Sequence, residues 1–107
     1  MRKITAQATK AFYNGVSFKS GNTGVKSISD GVWLFLHGNR IAYKNSEGQL
    51  FISSCGWETP TTKERLNGVL SCQSMNLYQK KGVWYITDYP QSTNKDILFF
   101  DNMEVNL

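Results

Sequence analysis

The stretch Val32-Trp33-Leu34-Phe35-Leu36 constrains this chain more than any other. It is apolar on both faces, which suits a central strand covered on both sides better than a half-exposed one. Asp30-Gly31 precedes it as a turn, and Gly38-Asn39 follows as a two-residue hairpin turn leading into Ile41-Ala42-Tyr43. Glu47-Gly48 marks another turn before Leu50-Phe51-Ile52, so three successive strands read as a meander. Upstream, the turn cluster Ser20-Gly21-Asn22-Thr23-Gly24 introduces a strand from Val25 to Ser29.

Helical spacing appears twice. Ile4, Ala8, Ala11 and Phe12 recur on one face, and Asn14-Gly15 can close that helix in a left-handed conformation. Thr61, with Glu64 three residues later, has the spacing of a capping box and starts a second helix that runs to Asn67-Gly68. Strands follow around Met75–Gln79 and, after a turn at Lys81-Gly82, Val83–Ile86; Ile97–Phe100 comes after a polar loop holding Pro90. The fold class is α+β. One domain over residues 1–107 carries a mostly antiparallel sheet of about five to six strands with two short helices, one N-terminal and one near 61–68. Residues 87–107 form a peripheral acidic strand or a tail.

A hydrophobic fraction of 40% builds one core but not two, and the 13% of aromatic residues favours a packed fold over a disordered one. No run approaches the ~18 apolar residues of a membrane span, and Met1 to Gln7 lack the apolar stretch of a secretory signal, so no membrane partner is expected. Cys55 and Cys72 match neither a zinc pattern nor a redox pair, and read as free buried thiols. With His37 the sole histidine, a closed zinc site has too few ligands, and no cofactor is expected.

The net charge of +4 conceals an asymmetry. Residues 1–81 hold eleven Lys or Arg against Asp30, Glu47, Glu58 and Glu64, a balance of +7; the remainder sets Lys95 against Asp88, Asp96, Asp101 and Glu104, a balance of −3. A basic body concentrates polyanions near its surface, which makes nucleic acid a reasonable partner.

Three blocks stand in order: AFYNGVSFKSGNTGV at 11–25, LHGNRIA at 36–42 and GWETPTTKERLNG at 56–68. Together they resemble a family of small phage-encoded proteins, over about residues 4–86. The resemblance implies a phage accessory protein of the host-takeover or anti-defence type, working in the host bacterial cytoplasm. It implies no activity.

The candidate site residues lie in the last two blocks. The Thr cluster at a helix start presents hydroxyls and unpaired N–H groups, the usual makings of an anion site, and Arg65 one turn beyond Thr61 is placed to reach the same anion. Thr59, Thr61, Thr62, Arg65 and Asn67 therefore join His37 and Arg40, which flank the LHGN turn, as candidate phosphate or nucleic-acid contacts. Trp57, between Gly56 and Glu58, is the tryptophan best placed to offer a stacking face; Trp33 and Trp84 read as core. The capping and packing roles of the same threonines, Leu66 and Trp57 are the structural alternative. Neither a nucleophile with its base nor a carboxylate cluster is visible, so binding is favoured over catalysis. The partner is a nucleic acid or nucleotide. The alternatives are a host protein, blocked through an aromatic patch or the acidic end, and a small metal-free nuclease using His37 with Arg40 or Arg65.

Overall fold

The meander is present and is extended at both ends. The computed structural model describes residues 1–88 and 96–105; the polar loop expected around Pro90 lies outside them. Helix α1 (Lys3–Asn14) is followed by β1 (Phe18–Ser20), β2 (Thr23–Ile28), β3 (Gly31–Leu36), β4 (Asn39–Asn45) and β5 (Leu50–Ile52). Helix α2 (Pro60–Ser71) then leads to β6 (Met75–Lys80), β7 (Val83–Asp88), β8 (Ile97–Leu98) and β9 (Met103–Val105). Every pairing is antiparallel, and the strands divide between a six-stranded sheet, β1-β2-β3-β4-β5-β9, and a three-stranded one, β6-β7-β8. The fold class is thus α+β, with two sheets. The acidic end supplies an edge strand: β9 pairs with β5 and buries Met103 and Val105.

Both central turns fall one residue earlier than predicted. Leu36 pairs with Asn39, so the hairpin turn is His37-Gly38, with φ of 52° and 80°. Two consecutive positive φ values give the turn whose twist matches the flanking strands, and Gly38 adopts its share without a Cβ penalty. His37 adopts the other, and its position is fixed by an N–H donated to the Asn22 carbonyl at 2.8 Å.

Strand β3 is central, but it is not covered on both sides. Val32, Leu34 and Leu36 are buried while Trp33 and Phe35 are only half-buried. The helices pack on one side of the six-stranded sheet, against Val25, Leu34, Leu36, Ala42, Leu50 and Ile52. Aromatic residues cover the other side themselves, Trp33 stacking on Tyr43 at 4.2 Å between ring centres. A bulge between Leu34 and Phe35 shifts the β3–β4 register and lets Ile41 and Ala42, neighbours in sequence, both point into the core. Trp84 is buried, as expected, against Phe99.

Helix α2 begins earlier and ends later than its sequence signals suggest. The N-cap is Thr59, not Thr61: its Oγ1 accepts the Thr62 N–H at 3.1 Å, and Pro60 follows at the first helical position, where a missing N–H costs nothing. Glu64 is left out of the cap and instead accepts from the Arg2 N–H, the Thr5 hydroxyl and Arg65. Gly68 does not end the helix. It faces α1, where an added Cβ would lie 2.5 Å from Thr5 Cγ2 and 2.6 Å from Thr9 Oγ1, so its bare backbone sets how closely the helices approach. Both cysteines are free but exposed, contrary to the expectation of burial, because each lies just beyond a regular element rather than within it.

Candidate functional site

The three sequence blocks converge in space. Asn22 of the first lies against His37 of the second, with 3.4 Å between Nδ2 and Nε2. Thr23 of the first accepts the Nε–H of Arg65 of the third at 2.9 Å. The second and third face each other across a cleft of about 580 Å³. The end of the β3–β4 hairpin forms one wall, with Leu36, His37, Asn39 and Ile41; Trp57, Thr59, Thr61 and Thr62 form the other, and Ser54 closes the floor. That volume is typical of a pocket for a small organic ligand.

The loop that carries Trp57 is fixed by short-range bonds. Ser54 takes the Trp57 N–H on its carbonyl and the Gly56 N–H on its hydroxyl, and its own N–H and hydroxyl both donate to Asp101 Oδ1 at 2.8 Å. The turn before β9 therefore anchors the floor of the cleft. On that anchored loop the Trp57 side chain is 62% exposed, so it does not plug the core.

At the start of α2 most donors are already used. Pro60 has no N–H, that of Thr62 is taken by the Thr59 hydroxyl, and that of Lys63 goes to the Thr59 carbonyl at 3.0 Å. The Thr59 and Thr62 hydroxyls lie 3.0 Å apart and engage each other. A ligand is left with the Thr61 amide and hydroxyl, the Asn39 amide and the His37 ring along the rim, above apolar walls of Leu36, Ile41 and Trp57.

The guanidinium groups are elsewhere. Arg65 is 1% exposed: besides the Thr23 hydroxyl it reaches Thr5 Oγ1 at 3.0 Å and Glu64 Oε1 at 2.5 Å, knitting α2 to α1 and β2. The expectation that it shares an anion with Thr61 is not met, because the guanidinium is drawn into the fold by Thr23, Thr5 and Glu64 while Thr61 lines the cleft. Arg40 turns to the open side of the sheet, its guanidinium 4.7 Å from the centre of the Trp33 ring, so it and His37 share no site. Asn67 is held in the scaffold, where its side-chain amide exchanges two hydrogen bonds with the backbone of Leu77 at 2.9 and 2.7 Å and docks β6 on α2.

Leu36, Asn39, Ile41 and Ser54 belong to the cleft but were not singled out in the sequence. Asn39 and Ile41 sit inside the LHGNRIA block, and the true turn position, one residue earlier, takes Asn39 out of the turn and pairs it with Leu36.

The model of the Kyanoviridae Gp96 protein family matches residues 1–106. The chain belongs to that family of phage proteins. The match takes in the acidic end that the recognised blocks leave out, in keeping with the place of β9 in the sheet. No curated protein and no solved structure matches the chain. Among the described residues no helix is long and apolar enough to cross a membrane.

Proposed function

We propose that this phage protein acts by binding, and that the cleft between the His37 turn and the start of α2 takes one nucleotide, free or as part of a nucleic acid. The observation that carries this reading is the exposed Trp57 ring, held on an anchored loop and lining one cleft with the apolar Leu36 and Ile41 and the polar Asn39, Thr61 and His37. A base stacks on Trp57 against Leu36 and Ile41, Asn39 and His37 meet its edge, and Thr61 receives the sugar or phosphate. The basic body adds long-range attraction for such a ligand. With one helix-start amide on offer and no guanidinium, affinity comes from the base more than from the phosphate.

Titrating the protein with the four nucleoside monophosphates and with inorganic phosphate, followed by amide and indole NMR shifts, tests this. Trp57, Thr61, His37 and Asn39 should shift together with a nucleotide, and Trp57→Ala should weaken binding about tenfold or more, since stacking on an aromatic ring contributes ~1–3 kcal/mol per base. Shifts with phosphate alone, or none at these residues, sink the reading.

One observation favours a protein partner as the second reading. Ile97 and Leu98 form β8 at the edge of the smaller sheet and Phe100 follows it two residues on, and Leu98 and Phe100 are 56% and 58% exposed. Removing the acidic end is a poor test of that idea, because Met103 and Val105 lie in the core. Leu98→Ser with Phe100→Ser is the cleaner variant, and an unchanged ability to form a stoichiometric complex with a purified host target would dismiss this surface.

A further inference from the structure

The side of the six-stranded sheet turned away from the helices carries a pattern the cleft does not use. Strand register places Lys26 opposite Trp33, Trp33 opposite Tyr43, Tyr43 opposite Phe51 and Phe51 opposite Glu104, a single row across five strands. The rings form a column, Trp33 on Tyr43 at 4.2 Å and Tyr43 beside Phe51 at 6.2 Å, with interplanar angles of 26° and 25°. A second row runs alongside: Lys19 opposite Gly24, Gly24 opposite Phe35 and Phe35 opposite Arg40. Arg40 joins the two rows by lying over Trp33.

Two depressions mark this face. One, of about 270 Å³, is bordered by Arg40, Trp33, Tyr43 and Phe51; the other, of about 340 Å³, by Lys19, Lys26 and Phe35. The register links them: Lys26 of the second stands opposite Trp33 of the first, and Phe35 of the second opposite Arg40 of the first. Aromatic surface and fixed positive charge interleave here, and the acidic residue of the row, Glu104, stands at the far end, where it accepts from Gln49 at 3.1 Å.

We propose that this open face is a track for single-stranded nucleic acid. It rests on the reading of the protein as a binder of nucleotide chemistry, but it uses the opposite side of the sheet from the cleft. Unpaired bases enter the depressions and stack on the Arg40 guanidinium plane and the neighbouring rings, while Lys19 and Lys26 neutralise phosphates. Charge complementarity selects this occupant over another protein face: the cations surround the aromatic column instead of rimming a purely apolar patch. Five strands about 4.8 Å apart span roughly 19 Å, room for about three nucleotides. A duplex keeps its bases stacked inside and has nothing to offer the rings.

The test is fluorescence anisotropy of the full chain with labelled single-stranded dT and rU oligomers and a duplex of the same length, over a salt series. Single strands should bind more tightly than duplex, with affinity falling as salt rises. Lys26→Glu with Arg40→Gln, both at exposed positions, should weaken single-strand binding about tenfold or more and lower the salt slope by about one per lost phosphate contact. Trp33→Leu should weaken binding with the salt slope unchanged. Trp57→Ala should weaken mononucleotide binding in the cleft about tenfold or more and leave the oligomer bound, so each surface fails or stands independently. Equal binding of duplex and single strand overturns the track, as does an unchanged affinity in the Lys26/Arg40 variant. Sedimentation as a dimer that Trp33→Leu dissociates would make this face a self-interface and overturn it equally.

Discussion

The Nε–H of Arg65 donates to the hydroxyl of Thr23 across 2.9 Å, joining the middle of α2 to the first residue of β2. Thr23 passes the bond on to Asn22 Oδ1 at 2.8 Å, and Asn22 lies against His37 at the rim of the cleft. A buried guanidinium thus ties α2 to the strand beside the hairpin end on which half of the candidate site is built, while that end keeps its own backbone bond from the His37 N–H to the Asn22 carbonyl. Thr23, Thr5 and Glu64, on three elements, accept from Arg65 Nε and Nη1, and among the described residues no buried side-chain nitrogen or oxygen lacks a partner.

Truncating that guanidinium should cost stability and not chemistry. Arg65→Ala strands Thr23 and Thr5 and leaves a cavity, and removing one member of a buried ion pair destabilises by about 3–5 kcal/mol. The lower end applies, because Glu64 keeps access to water. Urea unfolding should show the loss in the midpoint, while the fraction still folded at low temperature should bind ligand as the unaltered chain does. A selective loss of ligand affinity with an unchanged midpoint would return Arg65 to the binding site.

The same cluster predicts an acid-sensitive fold. Burial pushes the Glu64 carboxyl up, but the Thr5 hydroxyl, the Arg2 N–H and the Arg65 guanidinium more than offset it and hold Glu64 below its ordinary 4.5. Between the two values the unfolded chain carries a proton that the folded chain lacks, so stability rises with pH. The contribution is complete above about 4.5 and is lost as pH falls through the lower folded value. Thermal melts across the acid range should show a steep limb for the unaltered chain and a shallower one for Glu64→Gln. Parallel limbs would mean that other carboxylates set the acid response.

Much of this architecture was legible in the sequence because its signals are local. The Gly15 helix stop, the Lys81-Gly82 turn and the order of the meander follow from turn chemistry and apolar runs, and each is where it was expected. What was not legible depends on partners distant in the chain. The apolar run of β3 looks doubly covered, yet Trp33 and Phe35 face out, since aromatic neighbours on β4 and β5 cover each other laterally without a second layer. Arg65 appeared to be a surface cation because nothing near it in sequence announces Thr5 and Thr23, 60 and 42 residues away. For the candidate site, the GWETPTT stretch singled out in the sequence is the one that lines the cleft with Trp57, Thr59, Thr61 and Thr62. Which of its threonines cap and which face the cleft was decided by the position of Thr59 before Pro60.

Gly68 gives the sharpest contrast between local and tertiary logic. In an exposed helix interior, replacing glycine by alanine stabilises by about 1 kcal/mol. At Gly68 the new methyl would meet Thr5 Cγ2 at 2.5 Å and Thr9 Oγ1 at 2.6 Å, and both belong to α1, which cannot retreat without disturbing the Thr5 bonds to Glu64 and Arg65. Overpacking of this kind costs about 1–3 kcal/mol, so Gly68→Ala should destabilise despite the helix propensity gained. Shortening the opposing residue in Gly68→Ala/Thr9→Ala removes one of the two collisions and should recover part of the loss, whereas Thr9→Ala alone should not stabilise. Chemical denaturation of the four chains gives the coupling directly, and a coupling of zero would mean that the helices are not held at the distance this contact requires.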